Sequence, residues 1–282
     1  VLDGLLATEA ADLRRDFAAP VAGRTMASVL GLGVESVDAM LGWYDTFLAG
    51  ITAVTAGEPV GPEVADAFAA LRAHVGAARP TPADPTLLGA VAASGTLSDE
   101  ELVANVGVLL FGGIETTEGT IATALFHLLR DPELTESVRA ELDGGGVTLL
   151  ERVVEEALRI EPAAAVVDRY ATTDTVLDGV AIRAGDLVSV SLTAANRDPA
   201  TFPDPDRFDP HRDNLGRHLT FAQGPHVCLG LHLARLETRL ALEGAMRRLP
   251  DLTLSDPAGS APSGLVFRKP QSLPATWTAP KT

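Results

Sequence analysis

One cysteine in 282 residues excludes an intramolecular disulfide framework and any multi-cysteine zinc or iron–sulfur site. Positive charge is scarce too. Lys and Arg together number 22 against 38 Asp and Glu, a formal charge of -16, so the cationic excess that grips a phosphate backbone is missing and no nucleic-acid partner is expected. Apolar runs fall short of the roughly 18–20 residues a spanning helix needs, and the opening Val1-Leu2-Asp3-Gly4 has neither a basic n-region nor a cleavage site. No membrane partner is expected, and the chain reads as cytoplasmic. Lysine is confined to Lys269 and Lys281 while alanine is abundant, a composition associated with GC-rich bacterial genomes. At 46% hydrophobic and 21% charged, the chain has the make-up of a globular protein able to bury a substantial core. We expect a single domain over 1–282.

Apolar residues at three- and four-residue spacing predict helices over 5–29, 35–54 and 63–77, broken at Pro20, at 31–33 and at 57–62. The proline-rich stretch 78–85 reads as a loop. Ser98 with Glu101 forms a capping box that opens a proline-free helix over 99–130, about 48 Å long at 1.5 Å per residue. Asp131-Pro132 starts a short helix to Leu142, and Thr148 with Glu151 reads as a second capping box for a helix to Ile160. Beyond it, the β-branched stretches 176–180, 181–182 and 187–192 predict a small mixed or antiparallel sheet. Residues 196–214, dense in Pro, Asp and Arg, read as irregular coil; 229–249 returns to helix, and 265–277 reads as a hairpin. The fold class is mainly α, a helix bundle with a small β-sheet.

The lone Cys228 lies in Phe221-Ala222-Gln223-Gly224-Pro225-His226-Val227-Cys228-Leu229-Gly230, directly before a helix. A helix N-terminus offers unpaired N–H groups and a positive dipole end, which favour a thiolate. Gly224 and Gly230 leave room for a flat bulky group, and His226 can donate to an anion. Taken alone, a single cysteine before a helix is more often a buried structural thiol. Likewise Glu156 and Arg159, three apart on one helix face, ordinarily make a solvated bridge. Gly112 and Gly113, mid-helix at about 1 kcal/mol each relative to Ala, signal either close helix packing or passage over a planar group.

The order and spacing of these motifs change the balance. The Phe221, Gly224, His226, Cys228, Gly230 spacing resembles the haem-ligand loop of the cytochrome P-450 family, the haem-thiolate monooxygenases. Glu156 and Arg159 resemble its Glu-x-x-Arg pair, with Arg212 as third partner. Gly112-Gly113-Ile114-Glu115-Thr116-Thr117 resembles its oxygen-activation stretch, and Asp16-Phe17-Ala18-Ala19-Pro20 is similar to the soluble bacterial branch. Ala222 departs from the usual glycine, read as a mild change that tightens the loop. The resemblance begins where the family's fourth helix would end, so the chain reads as N-terminally truncated.

The resemblance implies haem b between the 99–130 helix and the Cys228 loop, with Cys228 as iron ligand. It assigns Arg169 and His226 to a propionate, Phe221, Gly224 and Gly230 to the loop, Glu156, Arg159 and Arg212 to its support, and Gly113, Glu115 and Thr116 to the distal side. Residues 164–167, Leu109 and 265–267 would shape an apolar pocket. It further implies monooxygenation by O2 of a small apolar organic substrate in bacterial secondary metabolism, with electrons from an external ferredoxin-type donor, since no flavin or nicotinamide motif is present. Two alternatives stay open: a truncated haem-binding scaffold or partner protein without turnover, and a peroxide-driven variant. The missing front end also allows a homo-oligomer in which another chain covers exposed apolar surface.

Overall fold

A computed structural model describes residues 1–55, 57–78, 81 and 83–279. Part of the predicted 78–85 loop (Arg79, Pro80, Pro82) and Lys281 lie outside the described residues. In chain order the elements are α1 (Leu2–Leu5), β1 (Ala10–Asp12), α2 (Ala19–Leu30), α3 (Val37–Thr55), α4 (Pro62–Ala78), α5 (Leu87–Ser94), α6 (Asp99–Leu129), α7 (Pro132–Asp143) and α8 (Thr148–Ile160). There follow β2 (Val166–Tyr170), β3 (Thr175–Leu177), β4 (Val180–Ile182), β5 (Leu187–Ser191), α9 (Leu192–Ala195), α10 (Leu231–Arg248), β6 (Thr253–Leu254) and β7 (Pro274–Thr276). Helix dominates and the sheets are small, as the sequence predicts.

The chain divides into two compact units, Val1 with Arg15–Glu118 and Leu2–Arg14 with Gly119–Thr282. In the first, α2 to α5 and the leading part of α6 enclose a core of Met26, Leu30, Met40, Leu71, Leu88, Val106, Leu110 and Ile114. The long helix opens with the predicted capping box: the Glu101 amide donates to Ser98 Oγ (3.3 Å) and the Ser98 amide to Glu101 Oε2 (2.9 Å).

In the second unit α8 packs on α10 and α7. Its sheets are antiparallel: β1–β7–β6, β2–β5 and the β3–β4 hairpin. Asp178 and Gly179 turn that hairpin with φ of 48° and 81°, the two positive values an Asp-Gly type I′ turn requires.

Four local expectations need correction. The helical run over 5–29 is interrupted at 10–12, well before Pro20, because Ala10–Asp12 pair with Pro274–Thr276 and Asp12 Oδ1 accepts from the Arg14 and Leu273 amides (3.0 and 2.9 Å). A strand partner about 260 residues away overrides the local helical period, and Pro20 then starts α2 instead of breaking it. The Thr148–Glu151 capping box does not form; Thr148 is already helical and the Leu149 amide donates to Glu141 Oε2 (2.8 Å) from the preceding helix. Helix α5 was not anticipated; Thr86 caps it by accepting from the Gly89 amide (3.1 Å). The 265–277 hairpin is replaced by a turn in which Ser263 and Lys269 exchange backbone hydrogen bonds, leaving β7 to pair with β1 and β6.

His127 near the end of α6 stacks flat on Phe208 (centroids 4.5 Å, interplanar 1°), with Phe126 at its edge. Its Nε2 is shut off from solvent. Burial, then repulsion from Arg130, Arg197 and Arg159, lowers its pKa to about 3. The unfolded chain takes up this proton near 6.5 and the folded chain only near 3, so stability falls as pH drops through that window. His127→Phe keeps the stack and is expected to flatten the stability slope between pH 6 and 4 by up to about 1.4 kcal/mol per pH unit. Urea midpoints across that range check it; parallel slopes would refute it.

Candidate active site

Helix α8 is amphipathic, yet two of its buried side chains are charged: Glu156 and Arg159 are both 0% exposed. Burial of this kind demands complete pairing. Arg159 Nε donates to Glu156 Oε2 (2.6 Å) and Nη2 to Oε1 (2.8 Å), a bidentate fork. Its remaining N–H groups reach the carbonyls of Asn196, Pro205 and Arg207 at 2.9, 2.9 and 3.2 Å. Arg212 Nε adds a second cation on Glu156 Oε1 (3.1 Å), which also accepts from the Asp209 amide (2.8 Å). Arg212 further donates to the carbonyls of Pro203, Asp204 and Arg207. Two arginines and one carboxylate thus hold the irregular coil after α9 to helix α8, and the three residues proposed from sequence form one cluster.

The coil hands on to the cysteine loop through Asn196, whose Oδ1 accepts from the Leu219 amide (2.7 Å) and whose Nδ2 donates to Thr220 Oγ1 (2.9 Å). Thr220 in turn donates to the Leu158 carbonyl (2.7 Å). Past Phe221 the chain makes a single turn of 3-10 helix over Gly224–His226, and the Cys228 amide donates back to the Phe221 carbonyl (2.9 Å). Gly224 has φ of 77°, while Gly230 caps α10. A Cβ built at either glycine meets no neighbour within 4 Å. His226 and Cys228 are exposed, as is Leu229 at 84%. Arg169, on β2, is exposed and donates to the Asp168 carbonyl (2.7 Å).

In the other unit, Val108 (71% exposed), Gly112 and Thr116 recur every four residues along one open stripe of α6. Thr116 Oγ1 donates to the Gly112 carbonyl (2.5 Å), the back-bond an intrahelical threonine makes in preference to helix-breaking alternatives. Glu115 is buried. The two glycines separate in purpose: a Cβ at Gly113 would fall 2.3 Å from Met26 Sδ, whereas one at Gly112 meets nothing within 4 Å. Close packing explains Gly113, and the open clearance belongs to Gly112. Sequence reasoning passed over Glu155, His218 and Arg235, which gather beside Phe221. The available signal was the doubled Glu155-Glu156, since a helix face that buries one carboxylate leaves its neighbour to find a cation elsewhere.

Among the described residues no group of three or more His, Cys, Asp or Glu could hold a bare metal ion. The loop instead offers one exposed soft donor, flanked by clear glycines and the apolar Val227 and Leu229. That donor set fits a planar macrocycle that brings its remaining metal ligands with it, as haem does. Arg169 and His226 are solvent-accessible donors of the kind carboxylate substituents require.

Two outcomes follow from this geometry. Glu156→Ala or Arg159→Ala strands a buried charge and is expected to cost about 3–5 kcal/mol; denaturant titration and haem content after purification check it, and parent-like values would reduce the cluster to a surface bridge. Ala222 sits at φ of 56°, a left-handed conformation that costs an L-residue roughly 1–2 kcal/mol. The departure from glycine is therefore a strained position. Ala222→Gly, after its own unfolded-state entropy is subtracted, is expected to stabilise by about 0.5–1 kcal/mol, measurable as a higher melting temperature; a lower one would contradict the strain.

The model of the cytochrome P-450 family matches residues 85–252. A steroid C26-monooxygenase of Mycolicibacterium smegmatis is 33% identical over 99% of this chain and 70% of its own length. Mycinamicin IV hydroxylase/epoxidase of Micromonospora griseorubida is 34% identical over 98% and 70%. The crystal structure of CalO2 superposes with a TM-score of 0.86 at 30% identity, covering 99% of this chain and 70% of that one. The chain thus spans about 70% of the length of these relatives. With the Cys228 loop, the Glu156–Arg159–Arg212 cluster and the helical fold agreeing with these likenesses, the chain belongs to the cytochrome P-450 family of haem-binding monooxygenases.

Proposed function

We propose that this chain is the haem domain of a bacterial monooxygenase that inserts one oxygen atom from O2 into a small apolar organic substrate. The observation that carries the reading is Cys228: the chain's sole cysteine, exposed, in a glycine-bounded turn closed by the Phe221 carbonyl. When bound, haem iron supplies the reductive cleavage of O2, from which one oxygen enters the substrate and the other leaves as water. Cys228 is its thiolate ligand. Arg169 and His226 donate to a propionate, and Gly224 and Gly230 keep side chains clear of the macrocycle. Thr116, holding its hydroxyl on the Gly112 carbonyl, orders proton delivery, with Glu115 as the buried carboxyl that relays it. Residues 164–167 and 265–267 line the substrate side; the Ala165 amide donates to the Val266 carbonyl (2.8 Å), bringing these segments together. Relatives named for a steroid and for mycinamicin support an apolar substrate and, in the second case, secondary metabolism.

Electrons come from a ferredoxin-type protein. A groove of about 610 Å³ between α8 and α10 is lined by Arg152, Arg235 and Arg239 together with Glu151, Glu155, Leu215 and Leu236, a surface of mixed charge and apolar side chains against which a small protein donor docks. We place the enzyme in the cytoplasm, a reducing compartment compatible with a lone thiol.

Cys228→His in the haem-loaded chain is expected to abolish the red-shifted, thiolate-type band of the reduced CO complex; an unchanged band would sink the ligand assignment. Thr116→Ala is expected to retain haem and substrate binding but to divert most electrons to hydrogen peroxide. Peroxide yield per electron consumed checks it, and parent-like coupling would remove Thr116 from proton delivery.

A further inference from the structure

The carboxylate beside the buried cluster has a different set of partners. Glu155 Oε1 accepts from Arg235 Nε (2.6 Å) and Oε2 from Arg235 Nη2 (3.1 Å), a fork that leaves the guanidinium little rotational freedom. Thus fixed, Arg235 lies with its Cζ 4.6 Å from the centroid of the Phe221 ring, within cation–π range. The same Glu155 Oε2 is 3.0 Å from His218 Nε2, and the His218 ring is 6.0 Å from Phe221, tilted by 50°. His218 Nδ1 accepts from the Thr220 amide (3.3 Å), which assigns the proton to Nε2 and makes it the donor to Glu155. One carboxylate therefore governs both groups that flank Phe221. Burial alone would raise its pKa, but the hydrogen bonds from His218 and Arg235 prevail and hold it at about 2, so Glu155 stays charged throughout the working pH range. Phe221 is also the residue whose carbonyl takes the Cys228 amide proton at 2.9 Å.

We propose that Glu155 is a positioning residue for Cys228: it clamps Arg235 against Phe221, and the Phe221 carbonyl in turn holds the cysteine amide. The inference rests on the reading of Cys228 as the iron ligand, and goes beyond it by assigning the loop's rigidity to a carboxylate outside the Glu156 cluster. A ligand held through its supporting residues keeps its protonation state and orientation; one released from them drifts. Loss of Glu155 frees Arg235 to turn toward solvent, uncovers Phe221 and loosens the turn that presents the sulfur.

The test uses the haem-loaded chain and follows the rate at which the thiolate-type band of the reduced CO complex converts to the unshifted form. Glu155→Ala is expected to speed this conversion tenfold or more. In a Phe221→Leu background, itself already fast, adding Glu155→Ala is expected to change the rate less than twofold, because both act on one element. Glu155→Asp, which retains the charge, is expected to recover at least half of the lost lifetime. Arg235→Lys keeps the charge but not the planar fork; it reproduces the tenfold effect, and it serves if Glu155→Ala does not accumulate as folded haem protein. Equal effects of Glu155→Ala in both backgrounds, or less than twofold change in Glu155→Ala and Arg235→Lys, would overturn the proposal. Cys228→Ser separates the two readings. If it lacks the band from the outset and the Glu155 variants match the parent, only the positioning role fails; if it keeps the band, the ligand assignment and the positioning role fall together.

Discussion

A carboxylate and a guanidinium group with no exposed surface, joined by a second guanidinium that is nearly as buried, set the terms for the second unit. Glu156, Arg159 and Arg212 would each carry a prohibitive desolvation cost alone, and their mutual pairing uses only part of their hydrogen-bonding capacity. The remainder is met by backbone carbonyls and an amide between Asn196 and Asp209. The irregular coil thereby has a fixed course without strand or helix of its own. Such a cluster is fragile in a particular sense: it contributes modestly when complete and is costly when any member is missing.

From that anchor the chain reaches Cys228 through a short series of locks. Asn196 ties Leu219 and Thr220, Thr220 ties back to α8, and the Phe221 carbonyl closes the turn on Cys228. The loop itself buries little, and its exposed Val227, Cys228 and Leu229 are the side chains an enclosing macrocycle would cover. Rigidity is thus imported from helices α8 and α10 instead of being generated within the loop. Ala222, held at positive φ, is a point where that imposed shape works against the local residue, as strained positions near functional sites do.

Much of this was legible in the sequence because the signals were local or tightly spaced. The long α6 follows from a capping box and thirty proline-free positions, and the small antiparallel sheets from the β-branched stretches, although the chain turns at Asp178-Gly179 inside the expected 176–180 stretch. The Cys228 loop and the Glu156, Arg159 and Arg212 set follow from the resemblance to the cytochrome P-450 family. What the sequence concealed depends on partners far along the chain. The β1–β7 pairing joins residues about 260 apart, the cap of α8 comes from Glu141 in the preceding helix, and Arg235 meets Phe221 only after α8 and α10 pack. Spacing also could not distinguish Gly112 from Gly113; the neighbour that decides it, Met26, lies on α2.

The proposed function rests on one bond, between the Cys228 sulfur and haem iron, and the composition provides an unusually clean way to observe it. Because Cys228 is the only cysteine, biosynthetic labelling with a heavy sulfur isotope in cysteine alone marks a single atom in the protein. Resonance Raman spectra of the haem-loaded chain are predicted to contain an iron–sulfur stretching band that moves to lower frequency on this labelling. A haem-loaded protein whose low-frequency spectrum is identical with either isotope would contradict it.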